Sequence, residues 1–354
     1  MVATSSDGVR PTSDPHDYVS IGTYWWPNPK TADGLPFVRR DGETSPVLDR
    51  YDRLKWDLHC DGLSTFAAAQ RLGEDYQSAI DSWVNAWYID PATRMNPHLR
   101  HAQFCPGHDA GRMVGCIDFT VRLPRFVECL RRCLPISTVA TTPLAEGTKG
   151  WWQDFFDWLI RPEVRRWHAA ANNNLGIYYD RSVIYLALWL GHDALAENSL
   201  RGVLTERVGR QIQADSRLPH ELGRTRSYDY TLMTDSGFVD LAVLGDSCGI
   251  NLFEESLPDS GSIASSVDWV WKQAASQAPW PEKQIARIDW ANLLRLWWCL
   301  PIVYRDRDPL AAIAHRLDES LRAEPERECL TISLHQFHQP VWSSFPHLVP
   351  SSGH

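Results

Sequence analysis

From about residue 51 onward, large apolar side chains recur at helical spacing. Ile80, Trp83 and Trp87 stand at i, i+3 and i+7; Trp151, Phe155 and Trp158 at i, i+4 and i+7; Leu293, Leu296, Trp297 and Leu300 at i, i+3, i+4 and i+7. Each series places its bulk on one stripe of a helix. No stretch alternates apolar and polar residues between hairpin turns, so the chain reads as all-α. The apolar segments return every ~20–25 residues across loops rich in Gly, Pro and Asp, as in antiparallel helix hairpins. No strict repeat of the solenoid type is present. Periodicity alone fits a closed ring of hairpins and an open bundle equally well.

The ends depart from this pattern. Residues 1–16 read as a disordered lead, 17–325 as the folded domain and 326–354, rich in Pro, His and Ser, as an irregular tail. The segment Asp17 to Pro29 is extended and closes on Trp25-Trp26-Pro27-Asn28-Pro29, where proline excludes a helix.

At 354 residues and 44% hydrophobic composition the chain can bury a sizeable core. Net charge is −9 and no block of Lys or Arg occurs, so no nucleic-acid partner is expected. No apolar run approaches the ~20 residues of a membrane span, so no membrane partner is expected either. Met1 to Pro15 has no apolar signal core; as given the chain reads as cytoplasmic, and a trimmed secretory precursor would read the same way. The eight cysteines form no Cys-x-x-Cys pair and read as reduced, mostly buried thiols; Cys129 and Cys133 would share a helix face without a His pair beside them. Neither a His-Glu-x-x-His motif nor a glycine-rich phosphate loop is present, so no metal and no cofactor is expected.

Candidate chemistry concentrates in two runs. The first is Asn172-Asn173-Asn174-Leu175-Gly176-Ile177-Tyr178-Tyr179-Asp180, where three adjacent amides exceed what one helix cap needs. The second is Leu218-Pro219-His220-Glu221-Leu222-Gly223-Arg224-Thr225-Arg226-Ser227-Tyr228-Asp229-Tyr230. Polar loops between helices add Asp90 to Gln103 and Gly111 to Asp118. From the residues alone, the amides could line a cleft or cap a helix. Tyr230 could be a working phenol or a core tyrosine, and Arg224 and Arg226 could face a ligand or pair with Glu221 and Asp229.

These runs resemble the alginate lyase superfamily of polysaccharide lyases. The family carries Asn-Asn-His-Gly, an aromatic and Tyr-Asp at the first run, and Pro-x-Glu-Leu-x-Arg-Thr-x-Ser-x-x-Tyr at the second. The resemblance extends to Tyr24-Trp25-Trp26-Pro27, to Arg40-Asp41-Gly42, to the polar loops and to Pro279 through Ile285, and covers roughly residues 17–305. It implies an α/α toroid, or incomplete barrel, of antiparallel helix hairpins. It also implies cofactor-free β-elimination on a uronate-containing carbohydrate such as alginate or glucuronan.

By the same resemblance, Tyr230 transfers the proton, and Asn174 and Arg224 recognise the sugar carboxylate and stabilise charge. Asn173, Tyr178, Tyr179, Arg226, His101, Gln103, Arg112, Trp25, Trp26 and His220 are expected to contact substrate. One position departs from the pattern: the family's catalytic His is Leu175, which cannot exchange a proton. Two routes remain for a lyase. Tyr230 acts as both base and acid with an arginine favouring its phenolate, or His101, His108 or His220 becomes the base. The departure also admits a cleft repurposed for a small molecule, as in an intracellular lyase, cyclase or dehydratase, and an inactive carbohydrate-binding protein.

Overall fold

The computed structural model describes residues 9–71, 75–109, 111, 116–123, 126–127, 143–299 and 308–323. The chain divides into two compact units. The first holds the residues up to Ala170 together with Leu186–Gly191, and the second holds Ala171–Tyr185 and the chain from His192 on.

Helices dominate both units, as the periodicity requires. In the first, α1 (Arg53–Arg71), α2 (Gln77–Val84), α3 (Cys116–Thr120), α4 (Pro143–Leu159) and α5 (Pro162–Ala169) surround an aromatic core. Trp151, Phe155 and Trp158 all turn inward, with the Trp151 and Phe155 rings stacked at 5.6 Å. The stripe on α2 ends differently. Ile80 is buried, but the helix widens into a π-turn over Asn85–Ile89, which carries Trp87 and Tyr88 into the core. There Trp56 stacks on Phe119 at 3.7 Å and His59 on Trp87 at 4.0 Å. Burial drives the pKa of His59 well down, so the ring is neutral and shares its Nε2 with the Tyr88 hydroxyl at 2.9 Å.

Short strands qualify the all-α reading. β1 (Val19–Ile21) pairs in parallel with β4 (His101–Phe104), and β2 (Trp25–Trp26) pairs antiparallel with β3 (Val38–Arg39). The longest of them has four residues, too few for an alternating pattern to stand out in the sequence. Part of the segment read as a lead is held in place: Asn96 donates to Asp14 and Asp17, and Arg10 pairs with Asp52.

The second unit is built on α9 (Ser227–Ser247), which is buried on nearly every turn. Around it pack α6 (Asn174–Leu190, whose last residues count with the first unit), α7 (Asp193–Val203), the short α8 (Pro219–Leu222) and α10 (Ile263–Ala275). A 3-10 helix follows at Trp290–Cys299, where the sequence spacing predicts an α-helix. Leu300, the last residue of that series, lies outside the described residues. α11 (Pro309–Ala323) closes the described chain.

Two glycines let α6 approach its neighbours closely, Gly237 on α9 and Gly176 on α6 itself. Gly237 leaves no room for a β-carbon, which would sit 2.7 Å from the Ile177 side chain. Gly176 likewise faces Arg207, whose guanidinium donates to both Asp180 oxygens and to the Ala171 carbonyl, fixing the start of α6.

Candidate active site

The second unit brings the two polar runs together. At the start of α6, Asn173 acts as the cap, its Oδ1 accepting from the Leu175 amide at 3.2 Å. Asn174, the first helical residue, is buried and turns toward α8. There Glu221, only 1% exposed, accepts from the Asn174 backbone amide at 2.6 Å and from its Nδ2 at 3.0 and 3.1 Å. Thr234 Oγ1, on α9, donates to the same carboxylate at 2.8 Å. Desolvation pushes the Glu221 pKa up, while the donors from Thr234 and Asn174 and the charge of Arg224 pull it back.

Tyr230 stands on α9 one turn before Thr234, so the two share a face. The Arg224 guanidinium lies over its ring, 3.8 Å from the centroid. Arg226 is engaged elsewhere: its Nε donates to Asp229 Oδ2 at 2.8 Å, and Gln284 Nε2 donates to the same oxygen at 3.0 Å. The strand-like segment at Gln284 is held beside Arg226 by main-chain bonds from Ser227 to Lys283 and from Ile285 to Thr225. Pro279 through Ile285 therefore braces the start of α9, helped by Trp280, whose indole donates to Ser227 Oγ at 2.7 Å. Of the two arginines left open by the sequence, Arg224 is the one set against the phenol.

The other expected residues divide. Tyr178 and Tyr179 are core side chains, each 4% exposed. Tyr178 donates its hydroxyl to the Met233 carbonyl at 3.0 Å and carries Arg181 over its ring. Tyr178 stands about one turn after Asn174 on the side of α6 that faces α9, and Tyr179 is buried beside it in the sequence, so packing claims them. His220 is exposed on α8. Leu175 is half-buried beside Asn174.

Trp25, Trp26, His101 and Gln103 belong to the first unit. Trp25 packs on the His108 ring at 4.9 Å, and His108 Nε2 meets the Phe37 carbonyl at 2.8 Å. Trp26 donates its indole N–H to the Glu43 carbonyl and lies under Arg40. Gln103 adopts a positive φ of 49° and spends its amide on Asp118 at 2.8 Å, while Ser20 and Tyr18 donate to the other oxygen of that carboxylate. His101 and His98 both face Asp17. Arg112 lies outside the described residues.

The sequence offered Glu221 only as a pairing partner for an arginine, and Thr234 and Asp235 not at all. Glu221 carried a signal all the same, as an acid set between Leu218 and Leu222 in a short turn. Asp235 is fully buried, accepts from Ser266 at 2.7 Å and has its pKa pushed up to about 7, chiefly by desolvation. Among the described residues no group of three or more His, Cys, Asp or Glu is placed to hold a metal. No described helix is long and apolar enough to cross a membrane.

Comparison with known proteins gives two findings. A family model described as alginate lyase matches residues 2–280. The structure is similar to the crystal structure of an alginate lyase from Bacteroides ovatus, with a TM-score of 0.79 and 27% identity, over 89% of this chain and 84% of that one. With that match the chain has the fold class of the α/α toroids. Among curated proteins none matches.

Proposed function

Because the chain belongs to the alginate lyase family, we propose that it cleaves a uronate-containing polysaccharide by β-elimination, with Tyr230 as both base and acid. The observation that carries this reading is the Arg224 guanidinium held 3.8 Å over the Tyr230 ring. A cation at that distance favours the phenolate, the form a base requires.

The sequence of events follows from the chemistry. The Tyr230 oxygen removes the proton on the carbon beside the sugar carboxylate, and the electron pair moves into that carboxyl group as an enolate. Asn174 stabilises the developing charge. The pair returns to form the ring double bond, the bond to the 4-linked oxygen breaks, and the phenol delivers its proton to the leaving oxygen. One residue can serve both steps when proton and leaving group lie on the same face of the ring. Leu175 is consistent with this economy, since no base is needed at its position.

The test is ultraviolet absorbance during incubation with polymannuronate, polyguluronate and glucuronan, because elimination creates a conjugated unsaturated uronate and hydrolysis does not. A rise on at least one polymer that is lost in Tyr230→Phe is the expected result. A flat trace with the wild-type protein on all three, or a rise unchanged in Tyr230→Phe, would overturn the reading.

A further inference from the structure

We infer that Glu221 is a positioning residue that sets the orientation of the Asn174 amide and couples it to the helix carrying Tyr230. The catalytic part of this inference rests on the elimination chemistry above; the coupling itself does not.

The geometry leaves little choice. An ionised carboxylate only accepts, so the Nδ2 end of Asn174, 3.0 and 3.1 Å from the two Glu221 oxygens, must face it. The carbonyl and the second N–H of the amide are then turned away, available to a substrate. Three donors converge on Glu221 Oε1: the Asn174 backbone amide, its side chain and Thr234. They tie α6, α8 and α9 together at one buried charge. Thr234 is one turn beyond Tyr230, so the link reaches the phenol through a single helical turn.

A carboxylate here costs more than an apolar contact would, because desolvation raises its pKa. The groups that face it are Arg224 from the adjoining segment, Thr234 and Asp235 from α9, and Asn174 and Tyr178 from α6. Only Arg224 among them carries positive charge. A carboxylate offers only acceptors to both contacts of the Asn174 Nδ2, whereas a carboxamide offers one acceptor and one donor. Glutamine at 221 would set its own NH2 against one of the converging donors, and the Asn174 amide would have to turn or shift.

Glu221→Gln and Thr234→Val are compared with the wild type in two ways. In protein labelled with ¹⁵N at asparagine, the Asn174 side-chain NH2 signals should exchange slowly with solvent and move with pH as Glu221 titrates. Glu221→Gln should abolish that movement. Thr234→Val, which deletes one donor to the carboxylate, should shift it to higher pH. In the absorbance assay, Glu221→Gln should lower kcat about 10²-fold with little change in KM, the scale of a misplaced catalytic group.

Asn174 signals that titrate identically in wild type and Glu221→Gln, or elimination by Glu221→Gln at the wild-type kcat, would overturn the inference. If Glu221→Gln fails to fold, an unmoved titration in Thr234→Val would overturn it instead. Activity that persists in Tyr230→Phe counts against the proposed reaction alone, because the amide signals report the Glu221 to Asn174 coupling without any turnover.

Discussion

Arg224 and Tyr230 form a cation–ring pair at 3.8 Å, whereas Arg226, two residues further on, is spent on Asp229 at 2.8 Å. Both arginines precede the helix start at Ser227: Arg224 lies in the turn before α9 and sits over the phenol ring, while Arg226, at the N-cap position, bonds through its side chain to Asp229 in the first turn.

The first prediction concerns that pair. Removing the cation in Arg224→Gln should lower kcat/KM in the elimination assay about tenfold, because the contact over the Tyr230 ring is lost. Steady-state kinetics from neutral to alkaline pH would show it. An unchanged kcat/KM would separate Arg224 from the chemistry at Tyr230.

Leu175 offers a gain-of-function test. It is half-buried directly after Asn174, where the resemblance puts the family's histidine. Leu175→His should raise the elimination rate and add a limb near pH ~6.5, the ordinary range of imidazole. An unchanged rate with an unchanged profile would show that the surroundings of position 175 no longer accept a base.

Asp235 makes stability depend on pH. Its folded pKa is about 7 against 3.8 for the free side chain, so between those values the folded state holds a proton that the unfolded state has lost. Stability therefore falls as pH rises through that window and levels off above it. Asp235→Asn keeps an acceptor for Ser266 and removes the ionisation. Above neutral pH it should be more stable than wild type, with a ceiling on the order of 4 kcal/mol. Chemical denaturation at acidic and alkaline pH would measure this. Equal slopes for the two proteins would mean that Asp235 keeps an ordinary pKa.

Gly237 tests how tightly α6 and α9 pack. The added methyl of Gly237→Ala would approach Ile177 to 2.7 Å and Tyr178 to 3.3 Å. Despite the better helix propensity of alanine, the protein should lose about 1–3 kcal/mol. Thermal unfolding would report the loss, and an unchanged or higher Tm would show that the Ile177 side chain can move aside.

The sequence by itself determined the helical class, because a 3.6-residue period survives in any context that buries one stripe: Trp151, Phe155 and Trp158 turn inward as their spacing requires. It also marked the two polar runs, since these are contiguous and their residue types are unusual for helix starts. Tertiary structure decided what spacing cannot encode. The pairing of β1 with β4 joins segments some eighty residues apart, through strands too short to carry a period of two. Tyr178 fell to the core because α9 covers that side of α6, a fact about a neighbouring helix and absent from its own run. The assignment of Arg224 to the phenol and Arg226 to Asp229 depended on the exact turn into α9. The buried link from Asn174 through Glu221 to Thr234 depended on three helices meeting at one charge, because a hydrogen bond is decided within a few tenths of an ångström, and only the packed chain sets distances that finely.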